Sequence, residues 1–356
     1  MRRCLTSCFV VVVLFVGPVF AQVKAKAQNV PEIPYESVPN FLKLPPGLYM
    51  GEAIGVSTNS KGHIFVYTRS ANTRLFEFDQ NGKYVREVGE GNYGFEFAHS
   101  VRVDPQDNIW AVDEGTNMVI KFNPEGRVTM VLGRRPEPVA GAFDSTLPAA
   151  PPEKYRFGRP TDVTWDADDN IYIGDGYFNS RIAKFDKHGN WIKQWGGPGE
   201  GGAHANENPG KFRNPHNVGI DRQGNLYVAD RGNRRIQVFD TDGNFKKFIF
   251  LNAAYDKTRH PVLGDMPVAR PDETAPWTIC ITNGPTQYLY ATDAEPGRLY
   301  KLSVPDGKIL GKFGISGHEL GQFNWAHGLA CPAEDVIYVA DMNNWRVQKL
   351  VVKGKR

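Results

Sequence analysis

Apolar and polar positions alternate along most of this chain in short runs, and each run stops at Gly, Asp, Asn or Pro. That is the period of strands separated by turns, and helical spacing is absent throughout. The runs recur in a fixed order. "NIWAVDEGTNMVIKFNPEG" (108–126) returns as "NIYIGDGYFNSRIAKFDKHG" (170–189) and "NLYVADRGNRRIQVFDTDG" (225–243). Looser copies are "HIFVYTRSANTRLFEFDQNG" (63–82), "YLYATDAEPGRLYKLSVPDG" (288–307) and "VIYVADMNNWRVQKL" (336–350). In each copy one run ends at an anchor residue, a turn follows, and a second run ends in a tight turn. Further runs lie before the anchor and after the tight turn. The anchors are Thr68, Asp113, Asp175, Asp230, Asp293 and Asp341, spaced 45 to 63 residues apart. Four strands per unit at that period predict an all-β fold, a six-bladed β-propeller.

The sixth copy stops after its third strand, within 347–356. "NFLKLPPG" (40–47) has the shape of the missing outer strand, so residues near 40–45 are expected to complete the last blade and remove an exposed edge. Three long insertions, 134–157, 197–212 and 252–276, precede the inner strands of blades three, four and five. They should wall an open cleft on one face.

The first 21 residues read as a secretory signal: Arg2 and Arg3, an apolar run from Phe9 to Val16, and Val19-Phe20-Ala21 as a small-residue cleavage site. An extension over 22–37 and a single propeller domain over 38–356 follow. The apolar run is too short to span a bilayer, so a secreted or periplasmic, monomeric protein is expected. Of 356 residues 41% are hydrophobic, enough for a sizeable core. Removing Arg2 and Arg3 from the 42 basic residues leaves 40 against 39 acidic ones. Such a balance argues against nucleic-acid and anionic-membrane partners. Cys4 and Cys8 leave with the signal. Cys280 and Cys331 remain, without a CxxC motif, either as a pair or as two buried thiols.

Candidate chemistry comes from the repeat register. The inner strands begin 14 residues before the anchors, at Ile54, His99, Thr161, His216, Ile279 (give or take one) and His327. Histidine thus takes the same slot in blades two, four and six, which are about 120° apart around a six-fold ring. Three imidazoles at one height match the His₃ geometry of a catalytic zinc site with an open position. Residues just after the anchors lie at that same end: Arg69, Tyr177 and Arg231. They suit an anionic substrate and a proton transfer, with an adjacent Arg lowering the pKa of Tyr177; the alternative is ordinary turn residues with solvated charge. Arg181, Arg235 and Arg346 repeat from blade to blade and read as structural.

At these residues the sequence resembles the peptidyl-α-hydroxyglycine α-amidating lyase family, six-bladed propellers of NHL-type repeats. The segments that carry the resemblance are "FAHSVRVDPQDNIWAVD" (97–113), "RPTDVTWDADDNIYIGDGYFNSRIAKF" (159–185) and "NPHNVGIDRQGNLYVADRGNRRIQVF" (214–239), and the similarity covers nearly the whole mature chain. The resemblance implies Zn²⁺ held by His99, His216 and His327, with Tyr177 as catalytic base and Arg69 and Arg231 binding carboxylate and tuning the Tyr. The implied reaction cleaves a peptide or small substrate with an α-hydroxyglycine end to an amide plus glyoxylate, the precursor coming from a separate hydroxylating enzyme. Backbone carbonyls of Val56 and Val101 match two ligands of the family's Ca²⁺, but Gly328 stands where the family has an Asp. Trp325 replaces an expected Met, and two family disulfides are replaced pairwise, by Gly158 with Phe178 and by Tyr227 with Val238. Two other readings stay open: a non-catalytic NHL-repeat propeller that binds a protein or polymer, and a metal-dependent lactonase or hydrolase of the six-bladed class.

Overall fold

The computed structural model describes residues 30–135, 153–199, 208–251, 276–293 and 297–353. They build six four-stranded antiparallel sheets. The inner strands are Glu52–Thr58, Ala98–Val103, Asp162–Trp165, Pro215–Ile220, Pro276–Ile281 and Ala326–Ala330. Each inner strand packs beside the next, and the sixth packs beside the first. The repeat count therefore translates into a closed six-bladed propeller. Among the described residues no helix is long and apolar enough to cross a membrane. The signal over 1–21 and the bulk of the three insertions lie outside the described residues.

The core is divided between the blades. Among the described residues it forms six apolar clusters, each centred between two neighbouring blades. Second strands such as Ile109–Asp113 are buried from end to end, while outer strands such as Trp191–Gly196 face largely into solvent. Burial on both faces is what makes the second runs so uniformly apolar.

In blades three, four and six the anchor aspartate holds the site end of its blade together. Asp175 accepts hydrogen bonds from Gly158 N at 2.7 Å and Arg181 Nε at 2.8 Å. Asp230 does the same with Arg213 N and Arg235 Nε, and Asp341 with Asn324 N and Arg346 Nε. Each carboxylate ties the segment entering its inner strand to the third strand of its own blade. Arg181, Arg235 and Arg346 are therefore ion-pair partners inside blades.

The last blade is closed from the N-terminal side, but by strand Tyr35–Val38 rather than by residues near 40–45. Tyr35 pairs with Val352 and Val38 with Lys349 in an antiparallel ladder. Phe41, Leu42 and Leu44 instead cover the cluster between blades six and one. Pro34 and Pro39 flank the strand and mask it in the sequence; an outermost strand tolerates them because only one of its edges is paired. The propeller thus reaches back into the segment expected as an extension. A disulfide joins Cys280 in the inner strand of blade five to Cys331 after the inner strand of blade six. Within the pairs Gly158 with Phe178 and Tyr227 with Val238 the two positions are neighbours: Phe178 N donates to Gly158 O at 3.0 Å, and Tyr227 faces Val238 across a ladder.

Candidate metal centre

The three histidines occupy β-bulges. Ala98 pairs with Asp113 and Ser100 with Val112, which leaves His99 unopposed. The same skip isolates His216 between Pro215 and Asn217, and His327 between Ala326 and Gly328. A bulged residue escapes the alternation of the pleat and can be re-aimed. Here all three turn toward one another, with ring centroids 4.6, 5.0 and 5.1 Å apart. Their candidate ligand atoms lie within 4.8 Å of one another, and all three side chains are buried.

The intervening blades fix the tautomers. His99 Nδ1 donates to Thr161 O at 2.6 Å, His216 Nδ1 to Trp277 O at 2.7 Å and His327 Nδ1 to Ile54 O at 3.0 Å. A carbonyl can only accept, so each Nδ1 carries the proton and each Nε2 presents a lone pair. A backbone carbonyl behind a ligating imidazole is the usual outer support of a metal site. The blade-five slot therefore belongs to Trp277; the sequence count reached Ile279 because the strand slips there, Pro276 facing Asp293 and Ile279 facing Ala291. Burial, and after it the neighbouring histidines and arginines, push the pKa values of His99 and His216 well below the ordinary value. Burial and Arg69 take His327 down to about 3. All three are neutral at physiological pH, the state that binds metal. The donor set fits a cation that accepts three imidazole nitrogens.

Tyr177, Arg69 and Arg231 gather at this end. Tyr177 Oη lies 3.3 Å from His99 Nε2 and 3.5 Å from His216 Nε2. The Arg231 guanidinium carbon is 4.2 Å from the Trp277 ring centre and 5.6 Å from that of Tyr177. Among the described residues no carboxylate pairs with Arg231, and burial lowers its pKa. Arg69 is held between Glu52 at 3.1 Å and Glu114 at 3.2 Å, over the Phe97 ring, and donates to Met342 Sδ.

Three neighbours of these groups carried no sequence signal beyond their place next to an anchor or a slot. Glu114 is buried directly after its anchor, and its Oε1 bridges Arg69 and Arg159. Arg159 lies 5.0 Å over the Tyr177 ring, and Trp277 packs on His216. Glu114 opposes the lowering expected from the adjacent arginines. The pKa of Tyr177 is raised, by burial first and by Glu114 second, against the pull of Arg231 and Arg69.

Behind the histidines the axis is already occupied by a cation of the chain itself. Arg102 forks onto Asp162 at 2.8 and 2.7 Å and donates to Leu329 O at 3.2 Å and to Ile279 O. The residues expected for calcium do not fit that ion. Asp162, the carboxylate facing the axis here, is committed to Arg102. A side chain at Gly328 would place its Cβ 2.5 Å from Ile54 O, so no carboxylate can stand there without moving backbone.

Comparison with known proteins agrees with this picture. The NHL repeat family model matches residues 212–239. The chain is 26% identical over 340 residues to a mouse peptidyl-glycine alpha-amidating monooxygenase, a match covering 87% of this chain and 32% of that protein. It is 28% identical to peptidyl-alpha-hydroxyglycine alpha-amidating lyase 1 of Drosophila melanogaster, over 73% of this chain and 46% of the relative. The chain thus spans about a third of the mouse relative and under half of the fly one. A streptogramin B lyase structure shares the fold, with a TM-score of 0.55, 16% identity and coverage of 90% of this chain and 98% of that one. Repeats, fold and relatives agree: this chain is a six-bladed β-propeller with an NHL repeat at 212–239, homologous to proteins named peptidyl-α-hydroxyglycine α-amidating lyases.

Proposed function

We propose that this chain is an exported, zinc-dependent lyase that converts a peptidyl-α-hydroxyglycine, or a smaller α-hydroxyglycine derivative, to an amide and glyoxylate. The observation that carries the reading is the Tyr177 hydroxyl set 3.3 Å and 3.5 Å from the free Nε2 atoms of two of three converging histidines. Three neutral imidazoles with an open position are a set that zinc favours. Bound there, the ion would supply Lewis acidity at the hydroxy-acid end. Arg231, half-buried and unpaired by any described carboxylate, binds the substrate carboxylate. Tyr177 as phenolate takes the proton of the carbinol hydroxyl. The oxygen's electrons form the aldehyde C=O, the C–N bond breaks, and the proton returns to the departing amide nitrogen. Atoms balance: R–CO–NH–CH(OH)–COO⁻ gives R–CO–NH₂ and OHC–COO⁻. Arg231 and Arg69 favour the phenolate that this transfer needs, against burial and Glu114. The Cys280–Cys331 disulfide suits an oxidising, exported setting. A separate enzyme would hydroxylate the precursor.

Metal analysis with a glyoxylate-release assay tests the reading. One equivalent of zinc per chain and steady glyoxylate release are expected. His216→Ala should lose the metal and the activity. Tyr177→Phe should keep the metal and lose turnover about 10²- to 10⁴-fold. Less than half an equivalent of zinc in wild-type protein, or full turnover in His216→Ala, would refute it.

A further inference from the structure

The second residue before the histidine slot is where blades three, four and six turn into the inner strand. It has a left-handed backbone in all three: Arg159 at φ 60°, Asn214 at φ 59° and Trp325 at φ 76°. Asn adopts that conformation readily; a long or bulky side chain loses about 1 kcal/mol there. Blade four therefore has the residue that the backbone prefers, and blade three keeps an arginine against the preference. Its backbone N–H is held by Asn117 Oδ1 at 2.7 Å, and its carbonyl accepts from Tyr177 N.

That strained position aims the guanidinium. Arg159 Cζ lies 5.0 Å over the ring of Tyr177 and 5.9 Å from that of Phe178. Among the described residues its one carboxylate contact is Glu114 Oε1 at 3.2 Å, an oxygen it shares with Arg69. Glu114 is 2% exposed whereas the Arg159 side chain is 38% exposed, so the acid lies underneath and the guanidinium faces outward. Among the described residues most of its five N–H donors are uncommitted.

Two features separate the arginines. Arg69 meets two carboxylates, and Arg231 is half-buried between the rings of Tyr177 and Trp277. The Arg159 side chain is more open to solvent than that of Arg69, 38% against 15%, and it reaches the part of a substrate that points out of the site. On the lyase reading above, the hydroxyglycine carboxylate faces inward and the acyl group faces out. We propose that Arg159 is a specificity-determining residue, held by Glu114 over Tyr177, that binds a carboxylate carried on the acyl group of the substrate. The favoured class is then α-hydroxyglycine acylated with a dicarboxylic acid, or a peptide with an acidic residue next to the hydroxyglycine.

The test compares N-succinyl- and N-butyryl-α-hydroxyglycine, which share a four-carbon acyl chain and differ in its terminal carboxylate. Wild-type protein should show a KM about tenfold lower for the succinyl substrate at low salt. Arg159→Gln should collapse that ratio to near one, and Arg159→Lys should restore part of it, because lysine keeps the charge without the fork. A general folding defect would raise both KM values together and leave the ratio intact. Equal KM values in wild type, or a ratio that survives Arg159→Gln, would overturn the proposal. Calorimetric titration of the purified protein with succinate and butyrate gives a readout that needs no turnover. Succinate should bind about tenfold more tightly than butyrate in wild type and equally in Arg159→Gln; equal binding in wild type overturns the role of Arg159. If neither acyl-hydroxyglycine releases glyoxylate, the lyase reading fails by itself and the titration still decides Arg159.

Discussion

Each metal-site histidine is forced neutral by its surroundings, and that has a stability consequence. An unfolded chain holds a histidine near pKa 6.5, whereas His327 in the metal-free fold is down at about 3. The folded state resists protonation, so the unfolded state binds more protons at mildly acid pH. Stability is intact above the unfolded value and declines as pH falls from about 6.5 toward 3, by about 2 kcal/mol at pH 5 for this residue alone. Denaturant unfolding of metal-free protein at pH 7.5 and pH 5 measures the loss. His327→Gln should remove about 2 kcal/mol of that difference, and an unchanged difference would contradict the burial of a neutral imidazole. The slots of these histidines were legible because the repeat counts them out. Glu114 and Arg159 were not legible, since their meaning depends on a shared ion pair 45 residues apart in the chain.

At the scale of elements, the strand Tyr35–Val38 does work out of proportion to its length. It pairs all four residues with the last strand of blade six, and Tyr35 Oη donates to Gly321 O at 2.6 Å. Without it, Arg346–Val352 would present an open edge to solvent and to other chains. A chain beginning at residue 40 should melt several degrees lower and associate with rising concentration in size-exclusion runs. A monomer of unchanged melting temperature would show that the closure is dispensable. The missing outer strand was legible from the truncated sixth repeat. Its identity was not, because a four-residue edge strand between two prolines has no alternation long enough to read, and pairing partners more than 300 residues apart leave no local mark.

For the whole molecule, closure of the ring leaves an axis that six inner strands must share, and here it holds an internal ion pair. Arg102 links its own blade two to Asp162 of blade three and to carbonyls of blades five and six. Asp162 is wholly buried, so removing its partner strands a charge. Arg102→Met should cost about 3 kcal/mol or more in urea unfolding, with Arg102→Met/Asp162→Asn recovering part of the loss. Calcium-selective chelation should leave the wild-type melting temperature unchanged; a drop would revive a calcium on the axis. The Cys280–Cys331 link adds a second tie between blades five and six, worth on the order of 4 kcal/mol in the chain-entropy picture.

By itself the sequence determined the number of blades, the anchors that stitch them and the three histidine slots. All of these are set by local patterns of apolar alternation, turn residues and fixed offsets, and sixfold repetition makes such patterns legible. Tertiary structure alone decided which strand closes the ring, that Trp277 and not Ile279 shares the slot level, and that Arg102 takes the axial place where calcium was in question. It also decided that Glu114 opposes the arginines around Tyr177. Those outcomes turn on bulges that re-aim side chains and on charges brought together from different blades, and neither leaves a period in the sequence.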